Sequence, residues 1–168
     1  EPAAQVAAER TLGAFDDKDA LARFGRSVEV VTFEFENIPA GPLAALAGGA
    51  PLRPSAHILG LTQDRLAEKA FLNSIDVKTA QWAPVTNLGT LETAVDQIGA
   101  PALMKSARSG YDGKGQQRLG VGDDVQAAWR LLGEKPAILE SVVDFAFEIS
   151  VIVARGTLSP HQAQRLPV

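Results

Sequence analysis

The sequence predicts an α/β layer in its first third and an α+β plan after it. Two patterns carry that prediction. A β-branched run bounded by glycine and proline lies between two short helical segments with short links, as in a parallel α/β layer. From Pro51 the pattern restarts and reads strand, glycine-rich loop, strand, helix, strand, strand. Composition agrees, since 46% apolar and 21% charged residues in a chain of 168 are ordinary globular usage and exclude wholesale disorder. A chain of this length buries roughly two-thirds of its unfolded surface, so a real core is available.

In order along the chain, Asp16 to Phe24 carries Ala20, Leu21 and Phe24 at helical spacing, with Asp16 and Asp17 at the dipole's positive end and Gly25 as the stop. Val28 to Phe33 (VEVVTF) predicts a buried strand, and Pro39 to Ala47 a short helix closed by Gly48-Gly49. A single strand makes no sheet, so this layer has the look of the cut end of something larger. Asp64 to Ser74 predicts an amphipathic helix with Asp64 as N-cap and Leu66, Ala70, Phe71 and Leu72 inward. Trp82 to Val85 predicts a strand, and Thr90 to Ile98 a helix running into Gly99-Ala-Pro101. Ala102 to Lys105 and Gln117 to Val121 predict two strands around the loop RSGYDGKG at 108–115. Asp123 with Gln126 predicts the start of a helix over Ala127 to Leu132, followed by β-rich runs at Ala137 to Glu140 and Phe147 to Ala154. Thr157 to Val168 has no clean period and two prolines, and reads as a loop or disordered tail.

Charge and composition narrow the function. Sixteen basic against twenty acidic residues give net −4 and pI ≈ 5.2, which lacks the basic footprint of non-specific nucleic-acid binding. Zero Cys excludes a disulfide scaffold and thiolate chemistry, and two histidines, His57 and His161, argue against a histidine-rich metal centre. No segment approaches the ~18 apolar residues of a membrane span. The start, EPAAQVAAER, has no signal-peptide pattern and no initiator Met, so a cytoplasmic protein whose authentic start is missing is expected.

The loop Gly110-Tyr111-Asp112-Gly113-Lys114-Gly115-Gln116 is the most informative segment. Its glycines can bare backbone amides as an anion-binding nest, and Lys114 with Lys105 would flank a polyphosphate with positive charge. It fits neither established phosphate-loop fingerprint, and on chemistry alone a flexible hairpin with an exposed lysine stands level with it. Glu148 sits in FAFEISVIV, where an inward carboxylate would need a lysine, ribose hydroxyls or a metal; the pattern favours a sheet-edge carboxylate facing water. Glu34 and Glu36 would share one strand face, and an exposed strand end explains them better than acid–base work. Arg65 opposes the dipole at the start of its helix, a mild pointer to a ligand against the blander exposed arginine. Trp129 is expected to pack, and His57 to lie at a surface or helix start.

Taken together, Thr32-Phe-Glu-Phe-Glu-Asn37, Gln63-Asp-Arg-Leu-Ala-Glu-Lys69, Gly110 to Gln116 and Glu148-Ile-Ser-Val-Ile-Val-Ala-Arg-Gly156 resemble one family over residues 1–156. That family is the N5-carboxyaminoimidazole ribonucleotide synthetases, ATP-grasp ligases of purine biosynthesis. The resemblance implies that residues 1–52 are the end of a Rossmann-like, pre-ATP-grasp domain. Residues 53–156 would be the small ATP-grasp lid subdomain, and 157–168 a tail or the truncated start of the C-terminal ATP-grasp portion.

The resemblance further implies that Arg65 and Lys105 contact ATP phosphates, with Gly110, Tyr111, Asp112, Gly113, Lys114, Gly115 and Gln116 closing over them. Glu140, Ser141, Val142 and Val143 would offer backbone groups to adenine, and Glu148 would take the ribose hydroxyls. Tyr111 and Asp112 would lie near the ribonucleotide. The implied reaction makes carboxyphosphate from ATP and bicarbonate and carboxylates the 5-amino group of aminoimidazole ribonucleotide, with Mg²⁺ and, in the full-length enzyme, a homodimer. A sister formate-dependent glycinamide ribonucleotide transformylase, or a non-catalytic nucleotide-binding module, are the alternatives. The family's N-terminal glycine-rich turn, its acidic Mg²⁺ ligands and most of its C-terminal part find no counterpart here. A fragment unable to turn over alone is expected.

Overall fold

The computed structural model describes residues 3–109, 115–155 and 163–165. Four antiparallel strands form its main sheet: β1 (Trp82–Val85), β2 (Ala102–Ser106), β3 (Gln116–Leu119) and β4 (Ala137–Ser141). Their order is β1-β4-β2-β3. The register sets Trp82 and Leu103 beside Glu140, and Lys105 beside Ile138. Because side chains alternate along each strand, Ala83, Val85, Ala102, Met104, Leu119, Ala137 and Leu139 share one face. Two helices, α4 (Leu88–Ile98) and α5 (Val125–Leu131), cover that face with Leu91, Ala94, Ala128 and Trp129, and Leu132 follows α5 into the same core. Trp129 packs as expected.

The caps explain why these helices start where they do. Asn87 accepts from Thr90 N while the Thr90 hydroxyl accepts from Asn87 N, a reciprocal box that begins α4 two residues before the expected start. Gly99, at φ 81°, ends it. The expected start box of α5 is displaced by one residue. Asp124 is the cap, and Asp123 instead accepts from Gly120 N at 2.7 Å, tightening the turn out of β3.

The N-terminal third holds a second core, with Val31, Ile38, Leu43, Leu46, Ala50 and Leu59 buried. Helix α1 (Lys18–Ser27) is capped by Asp17 and runs through Gly25, where a stop was expected. Gly25 serves packing instead: a Cβ there would meet Leu46 Cδ2 at 3.0 Å. The expected strand at 28–33 reduces to one parallel bridge, Val31 to Leu52, because among the described residues only 51–53 run alongside it. Glu34 and Glu36 are therefore exposed chain residues with no common strand face. The segment 39–47 contains a 3-10 helix over Gly41–Leu46. Helix α2 (Ala56–Thr62), capped by Ser55, escaped the sequence reading, and His57 lies exposed in its first turn. An apolar cavity of about 400 Å³ in this part is lined by Phe15, Phe24, Phe33 and Leu43 among others.

Two further expectations are corrected beyond β4. Phe147 to Ala154 forms no strand before Val153; only β5 (Val153–Arg155) pairs, with β6 (Ala163–Arg165). A strand needs a neighbour for its backbone groups, and among the described residues none lies beside 147–152. The same pairing places residues 163–165, expected as loop or disordered tail, in a two-stranded ribbon. Among the described residues no helix is long and apolar enough to cross a membrane.

Candidate functional site

The second face of the main sheet carries the charged residues. Helix α3 (Arg65–Ser74), capped by Asp64, lies over it with none of its residues fully buried. Leu66 and Leu72 are half-buried, but Ala70 and Phe71, expected inward, are exposed. Polar ties at positions 65, 69 and 73, one turn apart on one helix face, fasten α3 to the sheet instead. Arg65 Nη1 donates to Ser106 O at 2.9 Å and Ser109 O at 2.6 Å, and Arg65 N donates to Ala107 O at 2.9 Å. Lys69 Nζ lies 3.0 Å from Glu140 Oε1. Asn73 Oδ1 accepts from Trp82 Nε1 at 2.9 Å.

Glu140 is the centre of this arrangement. Its side chain is 7% exposed, and Lys105 Nζ donates to its Oε2 at 2.6 Å. Lys105 reaches it diagonally across the β2–β4 pair, since Leu103 faces Glu140 and Lys105 is two residues further along the same face. Burial alone would raise the Glu140 pKa, but hydrogen bonds and charge from Lys105 and Lys69 outweigh it and hold the carboxyl below its usual 4.5. Two ammonium groups on one carboxylate leave a net positive charge. The Lys105 side chain is the more exposed of the two, at 28% against 18% for Lys69. A half-buried cationic cluster of this kind attracts an anion.

The cluster reaches the base of the glycine-rich loop through Lys105. Lys105 pairs with Gln116 across β2 and β3, and Gly115 O accepts from Ser106 N at 2.8 Å. Gly110, Tyr111, Asp112, Gly113 and Lys114 lie outside the described residues. The near stem of the loop is braced by Arg65 and by Arg108, whose Nη2 donates to Gln63 Oε1 at 3.2 Å. Gln63 in turn donates to Ile38 O at 2.6 Å and to Glu36 O, which links the loop stem to the N-terminal core.

Of the residues singled out in the sequence, the structure sets Lys105 with Gln116 and Gly115 at the loop end of the sheet, joins it to Glu140 two register positions away on the same face, and places Arg65 at the loop stem. Ser141 closes β4, its N–H donating to Gln81 O at 2.8 Å. Val142 and Val143 run on from the sheet, half-buried and exposed respectively. Glu148 is exposed in irregular chain and makes no salt bridge with the cluster. The sequence reading missed Lys69. Its signal was present: it stands four residues after Arg65, on the same helix face. Among the described residues no group of three or more His, Asp or Glu could hold a metal ion. The large apolar cavity of the N-terminal third has no cation in its lining and is poorly suited to a polyphosphate.

Comparison with known proteins gives this geometry a lineage. Residues 1–63 match the ribonucleotide synthetase preATP-grasp domain and residues 70–161 the ATP-grasp domain. The N5-carboxyaminoimidazole ribonucleotide synthase of Brucella melitensis is 44% identical over 92% of this chain, which spans 43% of that protein. The structure of N5-carboxyaminoimidazole synthetase from Staphylococcus aureus complexed with ADP superposes with a TM-score of 0.89 at 31% identity, covering 99% of this chain and 44% of that one. The Aspergillus clavatus synthase in complex with ADP and 5-aminoimidazole ribonucleotide superposes with a TM-score of 0.79 at 25% identity, over 90% of this chain and 40% of that one. The chain thus spans less than half the length of these relatives. On these matches it belongs to the ATP-grasp family, in the group formed by the N5-carboxyaminoimidazole ribonucleotide synthetases.

Proposed function

We propose that this chain is the ATP-capturing lid, with the end of the preceding domain, of a ligase that carboxylates the 5-amino group of aminoimidazole ribonucleotide. In that reaction a bicarbonate oxygen attacks the γ-phosphorus of ATP, ADP leaves, and carboxyphosphate forms. The amine nitrogen then attacks the carboxyphosphate carbon and inorganic phosphate departs. The task of the protein is to align anions and neutralise charge on the moving phosphoryl group, which calls for cations and amides rather than a nucleophile. Domain limits of 1–52, 53–156 and 157–168 go with this reading, as do a cytoplasmic location and a homodimeric full-length enzyme.

The observation that carries the proposal is the Lys69–Glu140–Lys105 cluster, whose Lys105 stands at the mouth of a glycine-rich loop. Lys105 is the ammonium free to swing toward phosphate, and Glu140 to Val143 would present backbone groups to the base where β4 leaves the sheet. Arg65 holds the loop stem through two carbonyls and would lie beside the phosphates. Residues 110–116 would close over them and exclude water from carboxyphosphate. Tyr111 and Asp112 would face the ribonucleotide, and Glu148 would reach the ribose once its segment is ordered against the sheet. Magnesium bound with the triphosphate would neutralise part of its charge; the described residues offer it no carboxylate cluster of their own.

Calorimetric titration of ATP into the wild-type chain and Lys105→Ala tests this. Binding by the wild type that falls at least about tenfold in the variant is expected, since the lost contact is a charge-assisted one to phosphate. Equal binding by both proteins would overturn the assignment of Lys105, and no binding by a folded wild type would overturn capture by this chain.

A further inference from the structure

We propose that Lys69, which touches no nucleotide in this reading, is a positioning residue that frees Lys105 for phosphate by remaining as the counterion of Glu140. The inference rests on the nucleotide site proposed above. Glu140 is shared: one oxygen takes Lys69 from α3 and the other takes Lys105 from β2. Its side chain is nearly closed off from water, so its charge needs a partner at all times. A lysine that were the sole partner could not leave for a ligand without stranding a buried carboxylate. With Lys69 in place, Lys105 exchanges one anion for another and the carboxylate stays paired.

The geometry separates the two lysines in the way this exchange requires. Lys105 is the more exposed, stands on the strand that leads into the glycine-rich loop, and pairs in register with Gln116 at the loop's far end. Lys69 is the more enclosed, and its helix is held at both ends, by Arg65 on the loop stem and Asn73 on Trp82. Lys69 is therefore the fixed partner and Lys105 the exchangeable one.

The test is ATP titration of the wild type, Lys69→Met, Lys69→Arg and the double variant Lys69→Met/Glu140→Gln, with circular dichroism to confirm folding. Lys69→Met is expected to weaken ATP about tenfold, because Lys105 is then the only counterion left for Glu140. Lys69→Arg should bind near the wild-type level. The double variant should recover most of the loss, since the neutral amide that replaces the carboxylate no longer retains Lys105. A role confined to docking α3 predicts no recovery, because the tie to the helix is still missing; that result would overturn the inference. So would wild-type affinity in Lys69→Met, and if Lys105→Ala still abolished binding the nucleotide site itself would stand. Absence of ATP binding by the folded wild type would overturn both. Should Lys69→Met fail to fold, Lys69→Gln, which keeps a donor and drops the charge, takes its place in the same comparison.

Discussion

Glu140 shows what a single residue contributes and how that contribution depends on pH. Burial disfavours its charge, and two ammonium groups more than compensate, so its carboxyl titrates below 4.5 in the folded protein. A folded pKa below the unfolded one means that the unfolded chain takes up the proton first as the solution is acidified. The stabilisation is thus complete above the unfolded pKa and is lost as pH falls through the folded value. Glu140→Gln is expected to cost about 2 kcal/mol at neutral pH, the scale of hydrogen bonds to charged groups. Urea melts from pH 7 downward should show a constant gap between the two proteins to about pH 5, closing as pH drops below 4.5. A gap of the same size at pH 3.5 and pH 7 would show that the charge of Glu140 contributes nothing. The sequence marked Glu140 as the end of a strand run, and its role only through family resemblance. No local pattern reveals a carboxylate whose two partners lie 35 and 71 positions away in the chain.

Among the elements, those with local causes were legible and those with distant causes were not. β1 matches its expected limits and β2 and β4 each run one residue further, because short apolar runs bounded by turn residues specify them locally. α3 begins at its Asp64 cap as read, yet its inward face was misjudged. Apolar periodicity pointed to Ala70 and Phe71, whereas the sheet face beneath it is charged and takes Arg65, Lys69 and Asn73. Gly25 was read as a helix stop for a similar reason, since a glycine needed for close packing looks the same in sequence as one needed for a turn. The contact that fixes α1 against the turn after the 3-10 helix is backbone on backbone. Ala50 N donates to Gly25 O at 2.7 Å, and a Cβ on Gly49 would stand 2.6 Å from that same oxygen. Gly49→Ala must therefore push the two segments apart, at an expected cost of about 1–3 kcal/mol. At Gly41 a Cβ meets nothing within 4 Å, so Gly41→Ala is the matched control and should melt within about 0.5 kcal/mol of the wild type. Equal effects of the two substitutions would show that Gly25 and Gly49 do not need this close approach.

For the whole molecule, two cores with no common residue are joined at the loop stem, where Gln63 bonds Ile38 O on one side and Arg108 on the other. The α+β plan of the second core was legible because its strands and helices alternate clearly. The first core matches a preATP-grasp domain as read, but its expected strand is reduced to one bridge: a run such as VEVVTF specifies a strand only when neighbours exist to bond it. The same physics governs residues 143–153. Val143, Phe145, Phe147, Ile149, Val151 and Val153 occupy every second position and are 52–77% exposed, with Asp144, Glu148 and Ser150 between them. That alternation sets these apolar side chains on one face, opposite Asp144, Glu148 and Ser150 with Ala146 and Ile152, and among the described residues no strand pairs with 147–152, the form in which strands recruit other strands. An exposed apolar stretch of this kind drives association in a chain that carries it uncovered. The wild-type chain is expected to self-associate with rising concentration in sedimentation velocity, and Phe147→Ser/Ile149→Thr to reduce that at least about threefold. Both substitutions spare the two cores and the Lys69–Glu140–Lys105 cluster, so folding should be unchanged apart from association. If the double variant associates as strongly as the wild type, the contact lies elsewhere, and the apolar face of 143–153 is not what holds copies of the chain together.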